Sequence, residues 1–296
     1  MRDAVTQSPT LALSRLTQRL HERGRLRVWS LVITIFGDAI VPRGGQVPLA
    51  TLQEITGHMG IEPGALRTAM SRLAADRWVR REKEGRNSLY ALDQHGRHAF
   101  DLATQRIYAA SPPAWDGYWS VAITPPGQNL TAPQKAEMER LGFVECNTGT
   151  FLRPQSAQPS LSGSPLDTML VMNSQTENLP KNVAAFWNLE ETAQAYAGFN
   201  ASMKPFHDAL QHAPLLGLDA LTARILLIHD WRRIVLHDPG LPEALLPNNW
   251  PGQQARQITR AIYANLSVAS EHWINNAGLP ALQSPQKFNA RFGGIA

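Results

Sequence analysis

Residues 60–90 read GIEPGALRTAMSRLAADRWVRREKEGRNSLY. Pro63 sits where a helix can begin, because the first helical turn needs no N–H from it. Leu66, Ala69, Met70, Leu73 and Ala74 recur at helical spacing and predict one buried face. Arg67, Thr68, Ser71 and Arg72 fall on the other side. Guanidinium and hydroxyl groups on an exposed helix face suit the edges of bases in a major groove. Two short strands are predicted behind the helix, Trp78-Val79-Arg80-Arg81 and Ser88-Leu89-Tyr90-Ala91. Glu84-Gly85-Arg86-Asn87 supplies the turn between them. One helix followed by a two-stranded basic wing predicts a winged helix-turn-helix reader of duplex DNA.

The preceding residues fit this reading. Residues 26–36 carry Val28, Trp29, Val32, Ile35 and Phe36 on a broad apolar side and predict the first helix, ended by Gly37-Asp38. Residues 49–57 predict a short second helix with Leu49, Leu52 and Ile55 inward. The Gly60-Ile61-Glu62 corner then leads into the recognition helix. Charge agrees. Residues 1–108 hold 16 Lys and Arg against 10 Asp and Glu, an excess of six cations. The whole chain carries +4, so the remaining residues sum to −2. The basic excess lies where phosphate contact demands it. The candidate DNA contacts are Arg43, Arg67, Thr68, Ser71, Arg72 and the wing residue Arg86.

At 296 residues and 43% hydrophobic, the chain can bury real cores and is expected to divide into two or three domains. Its single cysteine, Cys146, excludes an internal disulfide framework. The first residues have no signal-peptide apolar core, and no apolar run approaches membrane-spanning length. A soluble, cytoplasmic protein is expected.

Residues 109–114, AASPPA, have the composition of a linker. Beyond them a strand is predicted at 118–124, then a helix at 131–141 with Thr131 as N-cap and Gly142 as stop. Short strands at 143–146 and 150–153 flank an Asn147-Thr148-Gly149 hairpin. A polar loop spans 154–165, and another strand is predicted at 166–172. This order suggests a small α+β sandwich of ferredoxin-like type, of the kind that pairs through sheet or helix faces. A metal-dependent nuclease on such a fold needs a carboxylate near the end of the first strand. Residues 118–124 contain none, which favours a structural, dimer-forming role. From about residue 185 the pattern turns helical, with long helices at 186–199, 220–236 and 252–273. The prolines between the last two mark an ordered connection. The chain is therefore read as an α+β multi-domain protein. Its expected divisions are a winged helix-turn-helix domain at 1–108, a ferredoxin-like dimerisation domain at 115–182 and a helical domain at 186–296.

Enzyme and metal signatures are absent. His95 with His98, and His207-Asp208 with His212, lack third and fourth ligands at a recognisable spacing. There is no Gly-rich phosphate loop and no Gly-x-Ser-x-Gly elbow. The segment LIHDWRRIVLHDP, residues 227–239, is unusual, with Arg224 just upstream. It reads either as an ion-paired helix face that locks the helical region or as an anion site for a phosphorylated ligand.

Three separated motifs resemble the PaaX family. They are Ser30-Leu31-x-Ile33-Thr34-Ile35-Phe36-Gly37-Asp38 continuing into Val41-Pro42-Arg43-Gly44-Gly45; Arg67-Thr68-Ala69-Met70-Ser71-Arg72-Leu73 with Gly85-Arg86, Ser88 and Tyr90; and LLIHDWRRIVLHDPGLPEALLPNNWPGQQAR at 226–256. The resemblance spans nearly the whole chain and is weakest at 155–176. It implies a winged-helix domain, a central domain resembling the Cas2 fold and a helical C-terminal domain. It also implies a homodimeric repressor of phenylacetate degradation genes on a palindromic operator, released by phenylacetyl-CoA and not by free phenylacetate. No resident cofactor is implied. A CoA thioester carries several phosphate charges, which arginine matches well. Under the resemblance, Arg224, His229, Arg232 and Arg233 become effector-site candidates, with Trp231 or Trp250 as an apolar wall for the aryl group. Two other functions are open at this point: an acyl-CoA enzyme with a DNA-binding domain, and a DNA-binding protein without an effector.

Overall fold

The computed structural model describes residues 8–22, 24, 26–84, 87–155, 165–180 and 182–295. The chain forms two compact units rather than the three expected. The first comprises Met1–Ala110, Ala197–Arg233 and Gln253–Ala296; the second comprises Ser111–Tyr196 and Ile234–Gly252. Most of the C-terminal helical sequence therefore belongs with the N-terminal segment, while the proline-rich connection belongs with the sheet.

The first unit begins with a helix that the sequence reading passed over, α1 (Pro9–Glu22), which buries Ala12, Leu13 and Leu16. Next comes α2 (Val28–Ile35). It does not stop at Gly37. The chain winds on through a π turn, Phe36–Ile40, and a 3-10 turn, Val41–Arg43, with Asp38 buried. Gly37 serves close packing here, not termination: a Cβ at Gly37 would lie 2.8 Å from the Phe100 ring. Strand β1 (Gln46–Pro48) leads into α3 (Leu49–His58), and α4 (Pro63–Ala75) follows. Between α3 and α4 the chain turns at Gly60, whose φ of 74° is in the left-handed region that favours glycine. The end of α4 is closed by two backbone bonds, Arg77 N–H to Ala74 C=O at 3.2 Å and Trp78 N–H to Leu73 C=O at 2.9 Å. This Schellman closure places Arg77 at φ 56°, a position glycine usually fills.

Strands β2 (Val79–Glu84) and β3 (Asn87–Leu92) pair antiparallel, Val79 opposite Leu92 and Lys83 opposite Ser88. With β1 they make a three-stranded sheet in the order β1-β3-β2. Helix α5 (Gln94–Ile107) starts at the Asp93 cap. It lies so close to the base of the ribbon that a Cβ at Gly96 would be 2.5 Å from the Trp78 carbonyl oxygen.

Three long helices follow: α7 (Glu190–Leu210), α8 (Gly217–Val235) and α9 (Pro251–Asn276). Helix α7 starts later and ends later than the sequence pattern indicated, with Pro205 inside it. A short helix α10 (Pro285–Asn289) and a turn at Arg291–Gly293 end the first unit.

In the second unit β4 (Tyr118–Ile123), α6 (Ala132–Arg140), β5 (Val144–Asn147) and β6 (Thr150–Pro154) occur where predicted. Thr131 and Gln134 form a capping box at the start of α6. The last strand differs. Residues 165–168 form a 3-10 turn, and β7 (Leu170–Gln175) starts later than expected. Leu166 and Met169 are drawn instead into the core with Ala122, Met138, Phe143 and Phe151. The sheet order is β5-β6-β4-β7, and every neighbouring pair is antiparallel. Within the proline-rich connection, the Tyr196 hydroxyl donates to Asp238 Oδ2 at 2.6 Å, and Asp238 Oδ1 accepts the Gly240 N–H at 2.7 Å. This segment is ordered, as the prolines indicated.

Candidate nucleic-acid interface

Helix α4 separates its residues as its spacing predicted. Leu66, Ala69, Met70 and Leu73 are buried, while Arg67, Thr68, Ser71 and Arg72 are exposed. Pro63 occupies the first turn after Glu62. The Thr68 hydroxyl donates back to the Gly64 carbonyl at 3.1 Å. The Arg72 guanidinium lies 5.0 Å from the centre of the Trp29 ring, and its Nε is 3.6 Å from Asp76. Two groups therefore restrain Arg72 and partly neutralise it. Arg67 makes no hydrogen bond or ion pair among the described residues, so its five donors face solvent.

The ribbon adds cations that the sequence reading did not single out. Val79, Arg81 and Lys83 alternate on one face of β2, opposite Leu92, Tyr90 and Ser88. Val79, Tyr90 and Leu92 are buried at its base. Further out the same face carries Arg81 and Lys83, both exposed. Arg81 Nε and Nη2 donate to the Ser88 hydroxyl at 3.2 and 2.7 Å, a neutral partner that leaves the charge uncompensated. Arg80 is different: its Nε meets Glu82 at 2.7 Å and its Nη1 donates to the Leu92 carbonyl. The period-2 alternation held this distinction, but only the register shows which face continues from the core. Arg86 lies outside the described residues.

Arg43 is a correction. It is 2% exposed and cannot reach DNA from this position. Its Nη1 donates to Asn275 Oδ1 at 2.9 Å and to the Pro280 carbonyl, and its Nη2 pairs with Glu271. Arg224 is a second correction, being fully buried. Its Nε meets Asp38 Oδ2 at 2.8 Å and its Nη1 meets Glu271 Oε1 at 2.7 Å. Asp38 also accepts from Arg291 at 3.1 Å, from the Tyr108 hydroxyl at 2.7 Å and from the Tyr263 hydroxyl at 2.8 Å. Burial pushes the Asp38 carboxyl up, but the two guanidiniums and two hydroxyls outweigh it and hold it below the ordinary aspartate range. Burial pushes Arg224 down, and Asp38, Tyr263 and Glu271 more than reverse this.

The other effector candidates divide. His229 is buried, with Nδ1 3.0 Å from the Thr34 hydroxyl. Arg232 Nε donates to the same hydroxyl at 2.8 Å, and its Nη2 reaches Ser30 O and Oγ at 2.9 and 2.7 Å. Burial lowers Arg232 to about 10. Arg233 is exposed on another side of α8. Trp231 is fully buried and donates its indole N–H to the Ile107 carbonyl at 2.8 Å. Arg224, His229 and Arg232 thus face the α2 segment as packing contacts and do not form one open anion site with Arg233. The Ser30–Asp38 motif and the α8 motif, almost two hundred residues apart, are the two sides of one buried polar seam.

Among the described residues no group of three or more His, Cys, Asp and Glu side chains could hold a metal ion, and no helix is long and apolar enough to cross a membrane.

Comparison with known proteins agrees with this arrangement. Residues 27–96 match the family model for PaaX-like proteins, and residues 187–276 match that for the PaaX-like protein C-terminal domain. Transcriptional repressor PaaX of Escherichia coli is 31% identical over 291 residues, with 90% of each chain covered. That relative is a regulator, not an enzyme. Among solved structures, an uncharacterized protein from Mycobacterium tuberculosis aligns with a TM-score of 0.52 at 22% identity, covering 78% of this chain and 91% of that one, a likeness of fold. The two matched segments hold opposite sides of the seam, and with the near full-length identity they show that the chain belongs to the PaaX family.

Proposed function

We propose that this protein is a dimeric repressor of phenylacetate catabolic genes that reads a palindromic operator and leaves it when phenylacetyl-CoA binds. The observation that carries the DNA-reading half is the exposed face of α4 with the cationic outer part of the ribbon. In this reading α3 and α4 are the helix-turn-helix and β2–β3 the wing. Arg67, Thr68 and Ser71 meet base edges, while Arg72, Arg81 and Lys83 meet phosphates.

The dimer is assigned to the second unit. Its strand order, β5-β6-β4-β7 with the first strand central, supports a ferredoxin-like reading in which a 3-10 turn stands in place of the second helix. Strand β7, LVMNSQ, lies at the edge with no charge and no proline to protect it. Leu170 is 60% exposed and Met172 45%. About a two-fold axis through Val171, Leu170 of one copy would face Met172 of the next on the same side of a continuous sheet. One recognition helix covers few base pairs, so two copies on half-sites are required for a specific operator.

The test is selection of tight-binding duplexes from a random library by the full chain, followed by a band-shift titration of the winner. The expected winner is an inverted repeat with half-sites about 10 base pairs apart or a multiple of that. Phenylacetyl-CoA is expected to release it, and phenylacetate or free CoA is not. Binding without sequence preference would remove the operator reading. Equal release by phenylacetate would remove the thioester requirement.

A further inference from the structure

Two buried indole donors of the second unit have no partner among the described residues. Trp119, on β4, and Trp187, in the 3-10 turn Val183–Trp187, are 6% and 7% exposed. Their rings lie stacked at 26° with centres 6.2 Å apart. Neither indole N–H has an acceptor among the described residues. Two other indoles are paired: Trp115 donates to the Tyr118 carbonyl at 2.6 Å, and Trp231 donates to the Ile107 carbonyl at 2.8 Å. Buried polar groups in folded proteins are overwhelmingly paired, so two orphans in one aromatic cluster ask for a partner that binds there.

The surroundings define that partner. Trp115 meets Trp119 edge-on at 5.2 Å, and Phe186, 46% exposed, meets Trp187 edge-on at 6.3 Å. The rest of the hydrophobic cluster is aliphatic or aromatic, with Val183, Leu189, Leu241 and Leu245 at its centre. Flat faces beside N–H donors suit a planar ring carrying a hydrogen-bond acceptor. Neutral N–H donors set in an apolar cluster favour a neutral acceptor, because a carboxylate buried against them would keep most of its desolvation penalty. The cover over Trp119 is built from two short turns, Val183–Trp187 and Glu243–Leu245. Turns of this length hold few backbone hydrogen bonds and open more readily than a helix does.

We propose that the Trp119–Trp187 pair receives an aryl group joined to a neutral carbonyl, such as an arylacetyl thioester. The ring lies against the indole faces, and the carbonyl oxygen accepts from the indole N–H groups. The Val183–Trp187 turn moves to admit it. This rests on the effector reading above and supplies its specificity: a thioester enters, and the free acid, an anion, does not.

The test uses the full chain with 15N-labelled tryptophan, whose eight indole N–H resonances report separately. Trp119→Phe and Trp187→Phe assign the two signals. The probe is the phenylacetyl thioester of N-acetylcysteamine, with phenylacetate as control. The thioester is expected to shift the Trp119 and Trp187 signals and to leave Trp231 in place; phenylacetate is expected to shift neither. Each Phe variant keeps one aromatic ring and loses the indole N–H together with the five-membered ring that carries it. Each is expected to unfold somewhat earlier than the parent because buried ring atoms are lost, to hold DNA equally well while folded, and to need about 2–10-fold more phenylacetyl-CoA for release. A merely structural N–H would leave the phenylacetyl-CoA concentration needed for release unchanged in both folded variants, and that result overturns the proposal. Release of the parent with both indole signals unmoved also overturns it and leaves the effector reading standing. Thioester shifts at both indoles without release from DNA would support the site and remove the effector reading.

Discussion

Replacing Asp38 by Asn tests whether the buried seam holds the α2 segment to the C-terminal helices. Asp38 accepts four hydrogen bonds, from Arg224, Arg291, Tyr108 and Tyr263, with no exposure to water. Asparagine fills the same space but removes the charge, and its amide nitrogen would point a donor at donors. Glu271 still faces Arg224, so the greater loss falls on Arg291. Removing one member of a buried ion pair costs about 3–5 kcal/mol, most of it from the charge left behind. For a chain of this size that lowers the unfolding midpoint by about 6–15 °C. The assay is thermal and urea unfolding of Asp38→Asn, Arg291→Met and the double variant. A double-mutant cycle is expected to give a coupling above about 1 kcal/mol. The pH dependence has a fixed sign. A carboxyl depressed in the folded state adds stability that is present above the ordinary aspartate value, about 4, and is lost as pH falls through the folded value. The parent should therefore lose part of its advantage over Asp38→Asn below about pH 4. A variant within 1 kcal/mol of the parent, or a coupling near zero, would refute the reasoning.

Three further predictions concern the surface. Arg67→Ala is expected to lose about 1–3 kcal/mol on the selected operator and little on unrelated duplexes. Arg81→Ala should weaken all duplexes and flatten the salt dependence by about one ion, whereas Arg80→Ala, already neutralised by Glu82, should change it little. Filter-binding titrations at several salt concentrations separate these cases, and equal effects of Arg80→Ala and Arg81→Ala would remove the face assignment. Met172→Lys should convert a dimer to a monomer at micromolar concentration by light scattering. A persistent dimer would place the contact elsewhere.

Local physics made helix α4 and its buried face legible in the sequence alone. The spacing of Leu66, Ala69, Met70 and Leu73 sorts buried from exposed residues without knowledge of any partner. Turn chemistry at Asn147-Thr148-Gly149 and the Thr131 capping box were equally local. What failed depended on contacts between distant segments. Gly37 looked like a stop because glycine often ends helices; the Phe100 ring, sixty-three residues later, makes it a packing position. Arg43 and Arg224 looked like anion ligands because a guanidinium carries the same charge wherever it stands. Whether it serves a phosphate or a buried carboxylate depends on what folds against it, and Asp38, Glu271 and Arg291 come from three separate stretches of chain. The orphan N–H groups of Trp119 and Trp187 have no sequence signature at all, since hydrogen-bond satisfaction exists only once the chain has closed around them. Side-chain type and periodicity determined which groups are available; tertiary packing alone decided which of them are paired inside the fold and which are left without a partner there.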